Sequence, residues 1–120
     1  RNRNNATTRI RKFIKELEMS KRSKACDISQ KTKEIVWNRD EHKCIICGKC
    51  VPMACANAHY IKRSQGGLGI PENVVTLCLE CHYEEDFGQT TKLYEEIIKN
   101  YLISIYGMDW DKTKLIYRKY

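Results

Sequence analysis

No stretch of this chain is apolar for the roughly 20 residues that a membrane-spanning helix needs, so no segment is expected to cross a bilayer. The N-terminal residues lack the apolar core of a signal peptide, and the chain starts at Arg1 rather than Met, as a fragment or processed form would. There is no internal repeat and no low-complexity segment. Trp, Phe and His are scarce: two Trp, two Phe and three His in 120 residues. With 42% hydrophobic residues, a chain of this length builds one modest core, as a single domain or a domain with an arm, and a metal staple would help it. These absences lead us to expect a soluble, cytoplasmic protein that does not partner a membrane.

What is present in excess is cysteine and positive charge. Seven cysteines could form a secreted disulfide scaffold, but the count is odd and four of them fall in two Cys-x-x-Cys pairs. Reduced thiolates holding a metal fit that pattern better. The formal net charge is +7, and residues 1–24 carry all of it, with nine Arg and Lys against two Glu. The rest of the chain is balanced, so the basic character belongs to an N-terminal arm, residues 1–27, ahead of a domain at 28–120.

Residues 1–6 are polar and lack periodicity, and read as a disordered basic tail. Ile10, Phe13, Ile14 and Leu17 then recur on one helical face, with Arg9, Arg11, Lys12 and Lys15 mostly elsewhere. This basic amphipathic helix of about three turns either lies along phosphates or packs on the core. Residues 20–27 read as a basic linker in which Cys26 is a buried or idle thiol. Ser29 can cap a second helix running to about Glu41, burying Ile28, Ile35 and Val36. His42 has no partner pattern and reads as a surface residue.

From Cys44 to His82 the residues carry chemistry. Cys44-Ile-Ile-Cys47-Gly48 has the form of a zinc knuckle, with Gly48 supplying a positive-φ turn, and Cys78-Leu-Glu-Cys81 is its counterpart. The competing pair Cys47 and Cys50 lacks a following Gly and would leave Cys44 without a role, so Cys50 and Cys55 read as bystanders. A thioredoxin-like redox site needs a single pair opening the helix of a βαβ unit, and that context is missing. Between the pairs, Ala58–Ile61 reads as a strand carrying His59, Lys62–Gly69 as a flexible basic loop, and Val74–Leu77 as a second strand. A helix from the second Cys pair to about Gly88 would turn Cys81 to the metal and His82 toward the strands. After Gly88, Leu93, Ile97, Tyr101 and Ile105, flanked by Tyr94, Ile98 and Leu102, give a helix with a wide apolar face that Gly107 can end. The tail with Trp110, Leu115, Ile116 and Tyr117 should dock on the domain.

The run Cys-x-x-Cys, Ala-His, Arg-Ser-x-Gly-Gly, Glu-Asn-Val-Val-x-Leu-Cys-x-x-Cys-His resembles the HNH endonuclease family, the zinc-containing ββα-metal nucleases, and most of all its small bacteriophage and prophage members. The resemblance covers roughly residues 30–88. It implies an α+β fold with a ββα-metal core at about 44–88, a four-cysteine zinc knuckle and C-terminal helical packing over 89–120. It also implies hydrolysis of phosphodiester bonds in DNA, with double-stranded DNA and phage packaging or other DNA-processing proteins as partners, in a bacterial cell or phage-infected host. Cys44, Cys47, Cys78 and Cys81 would hold structural Zn²⁺. His59 would be the general base, and His82 the ligand of a catalytic divalent ion, Mg²⁺, Mn²⁺ or Ni²⁺. Asn73 would fix the loop that orients His59 or join the ion's shell, with Arg63 and Lys62 as nucleic-acid contacts.

One departure stands out: many family members have an acidic residue before the first catalytic His, and this chain has Ala58. The ion would then depend on His82, Asn73 and non-protein oxygens, giving a weak, exchangeable site. Glu80, Glu84, Glu85 and Asp86 read as a solvated helix surface rather than ligands. The alternative function is a non-catalytic zinc-knuckle module that binds nucleic acid, which predicts the same charge and the same salt sensitivity.

Overall fold

The computed structural model describes residues 2–118, with side chains from residue 7 onward except 18 and 19. Nothing in the first 47 residues is Gly or Pro, and the consequence is a longer first helix than periodicity alone indicated. α1 runs unbroken over Asn2–Cys26, taking in both the expected tail from residue 2 and most of the expected linker. Arg1 lies outside the described residues. The apolar face of α1 does not pack on the core: Ile10 and Phe13 are 60% exposed, Ile14 and Leu17 48%.

Ser29 caps α2 (Gln30–Arg39) as expected, its hydroxyl accepting from the Thr32 N–H, but the helix stops at Asp40 rather than Glu41. Only Val36 of its expected core set is fully buried, and Ile35 faces solvent. Glu41 and His42 follow with φ of 59° and 62°, a left-handed pair that turns the chain from the helix into the first Cys-x-x-Cys. His42 is exposed as expected, though not idle. Its ring stacks on Trp37 with centroids 3.5 Å apart, and it bonds Asn38.

The sheet is one short antiparallel pair, β1 (Ala58–His59) and β2 (Val74–Val75), in register Ala58 with Val75 and His59 with Val74. Both strands are shorter than their sequence patterns, because Tyr60 and Ile61 leave the ladder to bond Asn73 instead. α3 (Leu79–Phe87) follows, with Cys78 as N-cap and Gly88 as C-cap. α4 (Thr91–Tyr106) closes the domain, and Gly107 ends it at φ 70°. The architecture is therefore a small α+β fold, among the described residues, in which a hairpin is followed directly by a helix. Among the described residues no helix is long and apolar enough to cross a membrane.

The core forms around the cysteines. Cys44, Cys78 and Cys81 are buried with Ala58, Val75, Leu77, Ile98 and Leu102 in one cluster, flanked by Tyr60, Tyr94, Tyr101, Tyr106 and Trp110. α4 presents Ile98 and Leu102 to it, while Leu93 and Ile105 on the broader predicted face remain exposed. A second, smaller cluster joins Val36 of α2 to Ala56 and Val74. The loop at 62–69, expected to be flexible, is packed at Gly66, Gly67 and Gly69, while Arg63, Ser64 and Gln65 are exposed. Gly67 and Gly69 lie against the backbone of Ile61 and Asp27 with no room for a Cβ, so only glycine fits there. The tail docks as expected: Leu115 is buried, Ile116 bridges to Gly67, and the Trp110 indole donates to the Glu72 carbonyl.

A polar hub ties these parts together. Arg39 grips Asp40 with two nitrogens (2.8 and 3.1 Å) and also donates to the carbonyls of Pro71 and Val74. Asp40 is buried and accepts from the Thr76 N–H and the Tyr101 hydroxyl. One ion pair thus fastens α2 to β2 and α4.

Candidate functional site

The four knuckle cysteines converge. Cys44 sits before a turn in which Gly48, at φ 76°, returns its N–H to the Cys44 carbonyl. Cys78 caps α3, and the Cys81 N–H donates to its sulfur at 3.4 Å. The sulfurs of Cys44, Cys47, Cys78 and Cys81 all lie within 4.8 Å of one another, with Cys47 and Cys78 at 3.7 Å. Four sulfurs about 2.3 Å from one Zn²⁺ would be about 3.8 Å apart, so the cluster fits a tetrahedral ion. Its electrostatics agree. Burial pushes the Cys44 thiol up, but N–H groups of Cys47, Cys78 and Ile46 outweigh it and bring it down to about 7. Burial, and then the neighbouring Cys78 and Cys44, hold Cys81 well above the ordinary thiol range. Four thiolates this close need a cation to ionise together. Cys50 is exposed and Cys55 half-buried, both outside the cluster.

Below this cluster, β1 and α3 form the walls of an open cleft of about 530 Å³ lined by His59, Lys62, Arg63, His82 and Asp86 among others. His59 and His82, 23 positions apart in sequence, are thereby brought together. Cys26, at the end of α1, fixes the His59 ring: its carbonyl lies 2.8 Å from Nε2. A carbonyl only accepts, so Nε2 carries the proton and the neutral ring keeps its basic lone pair on Nδ1. Burial, reinforced by the charges of Arg63, Lys62 and His82, pulls the His59 pKa below its ordinary value despite that hydrogen bond. The surroundings of His59 thus favour its neutral imidazole.

Asn73 is fully buried and committed to the loop. Its Oδ1 accepts from the Ile61 N–H at 2.7 Å, and its Nδ2 donates to the carbonyls of Ile61 and Leu68. These bonds hold the turn that follows His59. Ala58 is buried in the core cluster, so the side of β1 that could have offered a carboxylate is packed instead.

The carboxylates come from α3, where the sequence pattern pointed to solvent. Glu85 is 0% exposed and Asp86 lies in the cleft. His82, Glu85 and Asp86 bring one ligand atom each to within 4.8 Å of the others, and His82 Nε2 is 3.3 Å from Asp86. Helical spacing carries the missed signal: Glu85 is four residues after the buried Cys81, and Asp86 four after His82, so each shares a face with a residue already assigned. Lys62 contacts both acids, its Nζ bonding Glu85 and, at 2.6 Å, Asp86. Burial and the adjacent Asp86 raise the Glu85 carboxyl to about 7 despite Lys62. Its Oε2 is buried with no hydrogen-bond partner, as a side chain shaped to meet a cation would be. An imidazole with two carboxylates is a fitting donor set for Mn²⁺, Ni²⁺ or Mg²⁺.

A second cleft, of about 560 Å³, adjoins the first through Arg63 and Ser64 and is completed by Arg22, Ser23 and Cys26 of α1. Arg63 is held by Asp27 and Ser23, and Arg22 by the Ser64 carbonyl. Neither Arg22 nor Ser23 stood out in the sequence, because their place beside His59 depends on the continuous helix. No family model, curated protein or solved structure matches this chain.

Proposed function

We propose that this protein is a metal-dependent endonuclease of the HNH type that hydrolyses phosphodiester bonds in DNA, with the hairpin β1–β2 and helix α3 serving as a ββα-metal core. The observation that carries the reading is the meeting of His59 with His82 and Asp86 in one open cleft, with the buried Glu85 bringing a carboxylate oxygen to within 4.8 Å of the His82 and Asp86 ligand atoms. Lys62 and Arg63 of the 62–69 loop line that cleft, and Arg22 of α1 lines the second cleft that adjoins it. The sequence resemblance supports it independently.

His59 acts through Nδ1. The Cys26 carbonyl retains the Nε2 proton, so Nδ1 takes the proton of the water that attacks phosphorus. Asn73 keeps the turn after His59 in place, which keeps the ring aimed. His82, Asp86 and Glu85 would hold the catalytic divalent ion, Mg²⁺, Mn²⁺ or Ni²⁺. Such an ion neutralises charge at the phosphate and the departing oxygen when bound. Structural Zn²⁺ in the Cys44, Cys47, Cys78 and Cys81 cluster would tie α3 to the knuckle and so hold His82 opposite His59. Arg22 and Arg63 border the path of the substrate strand.

The deciding experiment incubates supercoiled plasmid with the zinc-loaded protein and Mg²⁺, Mn²⁺ or Ni²⁺ in turn, beside His59→Ala. We expect nicking or linearisation with at least one ion, and a loss of about 10²–10⁴-fold on removing the general base. Intact plasmid with every ion, or equal cutting by His59→Ala, would leave the binding-module reading in its place.

A further inference from the structure

The Lys62 ammonium is bound to the same two carboxylates that a catalytic ion would need, through Glu85 Oε1 and Asp86 Oδ1. It bonds the buried Glu85 and Asp86 together, and Asp86 is itself 3.3 Å from His82. An ammonium and a dication cannot share two carboxylates at contact distance without strong repulsion, since like charges about 4 Å apart repel by several kcal/mol where solvent is partly excluded. We propose that Lys62 is a positioning residue that holds the ion's seat by turns with the ion: it balances Glu85 and Asp86, gives them up to the cation, and then turns its freed ammonium to the substrate phosphate. The proposal rests on the reading that His82, Glu85 and Asp86 take a divalent ion.

Two features of the fold favour such an exchange over a purely structural ion pair. Glu85 keeps Oε2 buried and unpartnered although Lys62 is adjacent, so one lysine does not saturate the acids, whereas an ion with more coordination positions could. Lys62 also has room to move where the buried Glu85 has none. It sits on the turn three residues after His59, with its side chain 27% exposed at the cleft, while Glu85 is enclosed in α3. A stem of four methylenes on that turn can swing toward the neighbouring Arg63 without disturbing the hairpin. The exchange also accounts for a weak, replaceable ion: each binding event must first displace a resident charge.

The test measures Mn²⁺ binding directly, by electron paramagnetic resonance of the free ion, on full-length zinc-loaded protein at pH 8. Lys62→Met should bind Mn²⁺ about tenfold or more tightly than wild type, and Lys62→Arg about as weakly as wild type. Should Lys62→Met fail to fold with Glu85 left uncompensated, the same gain is read between Glu85→Gln and the double variant Lys62→Met/Glu85→Gln. The handover to phosphate is read by anisotropy of a labelled DNA duplex in a His59→Ala background. There Lys62→Met should weaken binding by about threefold or more when Mn²⁺ is present, and hardly at all without it. Mn²⁺ affinity that is unchanged or lower without Lys62 overturns the proposal and leaves the nuclease reading standing. Failure of the wild type to bind Mn²⁺ overturns the proposal, plasmid left intact by every ion overturns the nuclease reading with it, and an equal loss of DNA affinity with and without Mn²⁺ overturns the handover.

Discussion

At the scale of single residues, the proposed catalysis depends on which nitrogen of His59 is free and at what pH. The Cys26 carbonyl fixes the first and burial, aided by Arg63, Lys62 and His82, sets the second. Because the folded pKa lies below the ordinary value near 6.5, the unfolded chain binds the proton more readily between those two values. The stability that His59 contributes is therefore complete above about pH 6.5 and is lost as pH falls through the lower, folded value. Catalysis follows the same direction. The acid limb of kcat/KM assigned to the base should fall below about pH 6.5, and an NMR titration of the His59 ring should give the same midpoint. A His59 midpoint above that value would contradict the burial argument. The four clustered cysteines were legible from the spacing of their two Cys-x-x-Cys pairs, while His59 and His82 were singled out by the resemblance to the HNH pattern. Glu85 was not. Its neighbours in sequence are Glu84 and Asp86, and a run of acids reads as a solvated surface unless the helix face of Cys81 is followed one turn further.

At the scale of elements, the hairpin has only two residues in each strand and cannot set the distance between β1 and α3 unaided. The Arg39–Asp40 pair does much of that work, because it joins the end of α2 to the carbonyls of Pro71 and Val74, the N–H of Thr76 and the hydroxyl of Tyr101. Asp40→Ala would leave a half-buried guanidinium, a buried N–H and a phenol without their acceptor. We expect a loss of about 3–5 kcal/mol, the range for breaking a buried pair from one side, read by urea denaturation of the zinc-loaded protein. A change under about 1 kcal/mol, as for an exposed ion pair, would show that the hub is dispensable. Sequence reasoning located α2, α3 and α4 because caps and apolar periodicity are local signals. The hub escaped it, since an Arg-Asp dipeptide reveals nothing of partners that lie 32 to 61 positions away. The extent of α1 escaped for the opposite reason: Ser and Lys at 20–24 resemble a linker, but no Gly or Pro stops the helix there.

At the scale of the whole molecule, the four-cysteine cluster and the core are one object. Cys44, Cys78 and Cys81 are themselves members of the cluster that Ile98 and Leu102 of α4 complete, so little apolar packing remains that does not touch a metal ligand. The molecule measures 61 × 30 × 28 Å, with the long, mostly exposed α1 adding little to that core. If the cluster holds Zn²⁺, metal analysis should return about one ion per chain, and its removal should unfold the domain rather than merely silence it. Stripping the ion with a strong chelator should abolish the cooperative thermal transition and the near-ultraviolet signal of Trp37 and Trp110, and readding Zn²⁺ should restore both. Helical signal from α1 should fall less, because its residues make few of the core's contacts. Retention of the cooperative transition by a zinc-free Cys44→Ser/Cys78→Ser variant would separate core from metal. It would also undo the argument that the outer cluster holds His82 opposite His59, leaving the Arg39–Asp40 hub as the main brace of the site.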